Sequence, residues 1–142
     1  MRVKDCMSEA VVTITPEESA ALAARLMTRH NLGVLPVCDY HGKLQGMVTD
    51  RDIITRCIAV DQDPSRVPVA DIMSAQVETI APEEKAQAAT ERMARKQVRR
   101  LPVQEHGRLV GMVSLGDVAV RPDYTMEAGE VLQEISQNIR RV

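Results

Sequence analysis

The chain carries one passage twice, and that duplication constrains its fold more than any other feature. Residues 3–56, VKDCMSEAVVTITPEESAALAARLMTRHNLGVLPVCDYHGKLQGMVTDRDIITR, align with residues 69–121, VADIMSAQVETIAPEEKAQAATERMARKQVRRLPVQEHGRLVGMVSLGDVAVR. About half of the paired positions are identical. The single length difference falls at Tyr40, beside His41 and Gly42, where a turn accepts an extra residue. A unit of about 55 residues encloses only a thin core, so the two copies are expected to bury their sheets against each other. With 142 residues in all, one globular body made of two halves follows.

Each copy predicts the order strand, helix, strand, strand, helix. A short strand at 11–14 or 77–80 runs into Pro16-Glu17-Glu18 or Pro82-Glu83-Glu84, where proline suits a first helical turn and acids suit the positive end of its dipole. The helix that follows has an inner stripe of Ala20, Ala23, Met27 and His30 in the first copy, and of Ala86, Ala89 and Met93 in the second. Leu35-Pro36-Val37 and Leu101-Pro102-Val103 open strands, since proline tolerates a strand's first positions. Gly42 and Gly107 turn the chain into partner strands at 44–48 and 109–113, completing hairpins. The predicted organisation is repeat one at 1–58, a connector at 59–68 containing Pro64 and Pro68, repeat two at 69–121, and a helical tail at 122–142. In the tail, Ala128, Val131, Leu132, Ile135 and Ile139 share one helical face, which fits packing on its own domain or a dimer contact equally well.

Composition excludes several functions. The 18 Lys and Arg residues nearly balance 20 Asp and Glu, giving a formal net charge of -2, so the basic surface that non-specific nucleic-acid binding needs is missing. No run of about 18 apolar residues occurs, and Met1-Arg2-Val3-Lys4 leads straight into polar sequence; a soluble cytoplasmic protein with neither a nucleic-acid nor a membrane partner is expected. Cys6, Cys38 and Cys57 are odd in number and have no Cys-x-x-Cys spacing, and His30, His41 and His106 are scattered, so no metal site is predicted; Cys38 and His41 lack a ligand cluster around them. No Ser or Cys has a base at motif spacing and no Walker loop is present, so no catalytic residue is assigned. With no Phe or Trp and only two Tyr, a bound nucleobase would have to be held without aromatic stacking platforms.

The motifs Thr49-x-x-Asp52 and Ser114-x-x-Asp117 fit two explanations that spacing does not separate. As capping boxes, the hydroxyl caps a helix and the acid reaches back to the cap's own N–H. As ligand groups, free N–H groups and a hydroxyl meet a phosphate while the carboxylate accepts from a ribose diol. Another candidate box, Thr15-x-x-Glu18, loses its hydroxyl at Ala81 in the second copy at a cost of about 1 kcal/mol, which suggests that capping is dispensable there. Both hydroxyl and acid persist at the other motif, although Asp50-Arg51 becomes Leu115-Gly116, which favours a ligand role.

The duplicated element order, the repeated Leu-Pro-Val, and Gly-Met-Val followed by Thr or Ser, two residues and Asp together resemble a tandem pair of cystathionine-beta-synthase (CBS) domains, the Bateman module, over residues 3–121. The short tail is similar to that of small free-standing bacterial members. The resemblance implies an α/β (α+β) fold of two tandem repeats packed sheet to sheet about a pseudo-twofold axis, and a homodimer formed through helices. It also implies clefts between the repeats that bind an adenosyl ligand such as AMP, ADP, ATP, NAD or S-adenosylmethionine, with no required cofactor. On matching positions, Asp52 and Asp117 would hold ribose hydroxyls, and Thr49 and Ser114 would meet phosphate or ribose. Val12, Thr13, Glu78 and Thr79 through their backbone, and Leu35, Pro36, Leu101 and Pro102 through their side chains, would line the adenine pocket.

Against that pattern the copies differ in where they carry positive charge. The first has Arg51 inside its motif and Gly33-Val34 before Leu35; the second has Gly116 in its motif and Arg99-Arg100 before Leu101. These arginines either serve phosphates, making two inequivalent sites, or form surface ion pairs with Asp50, Glu105 or other acids. The expected function is a regulatory adenine-nucleotide-binding module that signals occupancy through a conformational or dimer change, with a regulated protein that sequence does not name as its expected partner. The alternative is a non-catalytic interaction scaffold with vestigial pockets.

Overall fold

A computed structural model describes residues 1–120 and 125–140, as a mixture of helices and small antiparallel sheets. The chain forms two compact units, Val12–Val77 and a second that joins Met1–Val11 to Glu78–Val142. In the first, helix α1 (Ala20–His30) leads to strands β1 (Val34–Cys38) and β2 (Leu44–Thr49), then to α2 (Asp50–Ile53), which continues as a π-helical turn, Ile54–Ile58. The second repeats the order with α3 (Ala86–Lys96), β3 (Arg100–Glu105), β4 (Arg108–Ser114) and α4 (Leu115–Ala119), and adds α5 (Thr125–Arg140).

The packing units are cut differently from the sequence repeats, because the repeats' opening segments are exchanged. Val69 and Ile72, from the start of the second copy, lie in the core built around Leu35, Val37 and Val48. Val3, from the start of the first, lies with Leu101, Val103 and Val113. Backbone pairing fixes the exchange: the Met47 N–H donates to the Ser74 carbonyl at 3.0 Å, and the Ser74 N–H donates back at 2.9 Å. Ser8 and Met112 make the same reciprocal bonds at 2.8 and 2.9 Å. The glycine of each Gly-Met-Val now has a structural cause. A Cβ on Gly46 would collide with the Ser74 carbonyl oxygen, and one on Gly111 would lie 2.8 Å from the Ser8 carbonyl oxygen.

Three local expectations are corrected. The strands at 11–14 and 77–80 shrink to single parallel bridges, Ile14 to Val37 and Ile80 to Val103, since only Ile14 and Ile80 are buried there. The helices begin at Ala20 and Ala86, not at the prolines, because residues after Pro16 and Pro82 form a turn closed by Glu18 and Glu84 onto the backbone N–H groups of Thr15 and Ala81. His30 is exposed rather than part of the inner stripe, as α1 ends there in a left-handed Asn31; Ala20, Ala23 and Met27 are buried as expected.

Both hairpins form. The β3–β4 turn places His106 and Gly107 at φ 55° and 80°, the twist-matched two-residue turn. The first copy's extra residue is absorbed by Asp39, whose carboxylate accepts from the N–H groups of His41 (2.8 Å) and Lys43 (3.0 Å). Those bonds, the Lys43 one foremost, hold Asp39 below the usual carboxylate range. Helix α5 packs on its own unit: Ala128, Val131 and Ile135 are buried with Ala89, Met93, Leu115 and Val118, and the Thr90 hydroxyl donates to Glu127 at 2.5 Å. Leu132 is exposed, and the side chain of Ile139 lies outside the described residues. No helix among the described residues is long and apolar enough to cross a membrane.

Candidate functional site

Strands β2 and β4 end in a hydroxyl residue that caps the next helix. Thr49 Oγ1 accepts from the Asp52 N–H at 3.0 Å, and Asp52 Oδ2 accepts from the Thr49 N–H at 2.9 Å. Ser114 and Asp117 form the same reciprocal box at 3.0 and 2.9 Å. Each box leaves its second carboxylate oxygen unspent. In the first copy that oxygen, Asp52 Oδ1, lies 3.7 Å from Arg56, whose guanidinium also donates to the Ile72 carbonyl at 2.9 Å. Asp117 is half-buried and has no ion pair among the described residues, so it has more capacity for a ligand than the buried Asp52.

The comparison with Thr15 and Ala81 reads differently on this geometry. Thr15 does not cap a helix; its hydroxyl donates to Glu18 at 2.9 Å. Where the second copy loses that hydroxyl, Arg92 replaces it as partner, donating to Glu84 at 2.9 and 2.5 Å, whereas the first copy has Leu26 at the position of Arg92. The lost hydroxyl is therefore compensated, and it lends no weight to a ligand role for the other motif. Arg92 first, through its hydrogen bonds, holds Glu84 below the usual carboxylate range.

One cleft in the second unit gathers several of the expected residues. It measures about 510 Å³ and is lined by Arg99, Arg100, Ser114 and Gly116 together with Ala128 and Gly129 of α5, among others. The strand register explains the meeting: Arg100 pairs with Ser114 across the hairpin, and the Leu115 N–H donates to the Arg99 carbonyl at 2.8 Å. Arg99 and Arg100 are exposed, and neither side chain forms an ion pair among the described residues. Neither does Arg51, which is exposed on α2. The surface ion pairs weighed for these arginines, with Asp50 or Glu105, are not formed. At the repeat-equivalent place in the first unit stand Gly33 and Asp50, with the Asp50 N–H donating to the Gly33 carbonyl at 3.0 Å and its carboxylate against the glycine. The first copy thus has a glycine where the second has Arg99, and an aspartate where the second has Leu115.

Other expected residues lie elsewhere. Leu35 and Leu101 are fully buried core residues, and Pro36 and Pro102 are buried in their strands, with their carbonyls accepting from Ile14 and Ile80. Val12 packs against the core and Thr13 is exposed. Glu78 is engaged by Arg95 at 3.3 Å and by Arg92 and Lys96 at 3.8 and 3.9 Å. Thr79 accepts from Gln104 on its hydroxyl (2.8 Å) and from Arg92 on its carbonyl (2.9 Å). Sequence reasoning missed Gly129 and Ala119 of the cleft; the signal for Gly129 was a glycine inside an amphipathic helical pattern. Burial, and next the Asp39 charge, push the Cys38 thiol up, and no group of three or more His, Cys, Asp or Glu residues gathers as a metal would need, among the described residues.

Comparison with known proteins places this geometry. The CBS domain family model matches twice, over residues 3–59 and 69–123. The CBS domain-containing protein YhcV of Bacillus subtilis is 42% identical over 138 residues, covering 96% of this chain and 97% of its own length. Hypoxic response protein 1 of Mycobacterium tuberculosis is 33% identical over 116 residues, covering 82% of this chain and 81% of its own. A crystal structure of Hypoxic Response Protein I with two coordinated zinc ions superposes with a TM-score of 0.79 at 31% identity, over 85% of this chain and 98% of that one. The CBS domain pair of protein MJ0100, in complex with 5'-methylthioadenosine and S-adenosyl-L-methionine, gives a TM-score of 0.74 at 29% identity, over 84% and 98% of the two chains.

Proposed function

Because the chain belongs to the CBS domain family, as a tandem pair of such domains, we propose that it is a regulatory module that binds an adenine nucleotide and signals its occupancy through a conformational or dimer change. The observation that carries this reading is the cleft of about 510 Å³ in which Arg99 and Arg100, both without counter-ions among the described residues, stand beside the Ser114 hydroxyl. Two unpaired guanidiniums in one concave site favour a phosphate-bearing ligand, which they bind through charge-assisted, bidentate bonds. Asp117, next in sequence to the cleft's Gly116 though not itself in the lining, keeps a carboxylate oxygen beyond its capping box as an acceptor for a ribose diol. The MJ0100 pair, with its two adenosyl ligands, supports an adenosyl class for this chain as well.

The adenine is held by aliphatic and backbone groups in this reading, since the chain has neither Phe nor Trp and Tyr40 is 85% exposed at its turn. Signalling works by differential affinity: the ligand shifts the module only as far as it prefers one arrangement over another. A homodimer is part of the proposal, with the exposed Ile54, Ile58 and Val60 of the first unit as apolar surface for it.

Calorimetric titration with AMP, ADP, ATP, NAD and S-adenosylmethionine tests the reading. Wild-type protein is expected to bind at least one of them saturably, and Asp52→Asn with Asp117→Asn to weaken that binding by about tenfold or more. Asparagine keeps an acceptor for the cap, so an unchanged melting temperature separates lost ligand contacts from lost helix capping. Five flat titrations, together with a partner retained in a pull-down, would replace the sensor with the interaction scaffold.

A further inference from the structure

Resting on the reading of the Arg99 and Arg100 cleft as a phosphate site, we propose that the C-terminal helix α5 is part of that site, and that Gly129 is the position that keeps it open to ligand. Helix α5 lies beyond both matched repeats, which end at residue 123. It is nevertheless firmly seated on its unit through Ala128, Val131, Ile135 and the Thr90 to Glu127 hydrogen bond. Seated there, it contributes Ala128, Gly129 and Leu132 to the cleft wall.

Glycine in a helix interior costs about 0.5–1 kcal/mol relative to alanine. Nothing in the packing of α5 requires it at 129: a Cβ there would meet no atom within 4 Å, and the residue is not at positive φ. What the missing side chain does is leave space in a cleft lined by two unpaired arginines. Helix α5 also carries Glu127, Glu130 and Glu134, yet none of them pairs with Arg99 or Arg100 among the described residues. The helix closes the wall without supplying the counter-charge, so the charge is left for a ligand. A ligand held there touches α5 and the β3–β4 hairpin at once; bound ligand and docked helix then stabilise each other by linkage, and α5 reports occupancy.

The test uses the full chain and ADP as probe, read by calorimetry and by amide hydrogen exchange. ADP is expected to bind wild type and to slow exchange along α5. Gly129→Glu, which sets a carboxylate in the cleft with Arg99 and Arg100, is expected to weaken ADP by about tenfold or more. Gln133→Glu makes the same charge change on α5 outside the cleft lining and is expected to bind as wild type does. Should Gly129→Glu melt at a lower temperature, Gly129→Gln, of equal size and no charge, takes its place, and the exchange measurement on wild type decides independently. ADP bound with wild-type affinity by the Gly129 variants, with α5 exchange unchanged, would overturn this inference and leave the sensor standing. No ADP binding by wild type would overturn the inference outright, while binding of another adenosyl ligand in the wider titration would still preserve the sensor.

Discussion

A glycine that both copies share in Gly-Met-Val looks, in sequence, like part of a ligand motif, but its Cα faces the backbone of the other copy's Met-Ser segment. At Gly46 the obstacle is a rigid carbonyl. At Gly111 the neighbours are the Ser8 carbonyl and the flexible Met7 side chain, which gives way more readily. Gly46→Ala is therefore expected to destabilise by about 1–3 kcal/mol, and Gly111→Ala by less, both measurable by urea denaturation. Equal costs would contradict the assignment of the rigid contact. The same scale holds the limit of what motif spacing reveals. Thr49, Asp52, Ser114 and Asp117 form both capping boxes, so the helix-capping explanation is realised in full, and any ligand role must use the carboxylate oxygens and hydroxyl protons that the boxes leave over.

Among elements, the turn before α3 shows how one copy replaced a contact that the other kept. Glu84 is held by Arg92 and by the Ala81 N–H, and both lower its pKa in the fold. A carboxylate with a depressed folded pKa contributes its stability above the unfolded value of about 4.3, and that contribution is lost as pH falls through the lower folded value. Melting temperature is thus expected to fall below about pH 4 less steeply in Glu84→Gln than in wild type. Parallel curves would place the acid sensitivity elsewhere, with Asp39 and Asp63 as the other lowered carboxylates among the described residues.

The hairpins, both repeat helices and the tail helix were legible because hydrophobic period, turn glycines and duplication agree there. The helix starts were not: proline and two acids fit a first turn as well as they fit the closed turn observed, and only Glu18 and Glu84 reaching back to backbone N–H groups decides it. In the cleft, Arg99 and Arg100 were legible as a charge difference between aligned copies, and Ser114 as a hydroxyl that both copies keep. Gly129 was not, because that part of the cleft wall comes from a helix outside the repeat and no alignment of copies points to it.

For the whole molecule, duplication suggests two autonomous halves, yet each core is completed by residues from the opening of the other copy. Val69 and Ile72 are fully buried in the unit Val12–Val77, and the Ser74 pairing with Met47 closes its sheet edge. A fragment cut at the sequence repeat, 1–58, lacks all three and carries Val3 with no core to enter. A fragment cut at the packing boundary, 12–77, keeps them. Burial of one Val and one Ile is worth about 1.5–3 kcal/mol each, a large share of the stability of so small a body. The 12–77 fragment is therefore expected to unfold cooperatively in urea while 1–58 shows no transition, as followed by circular dichroism. If 1–58 folded as well as 12–77, the exchanged segments would be ornaments on two independent halves. The unit that evolution copied and the unit that folds are expected to differ by this one exchange, which ties each copy's stability to the presence of the other.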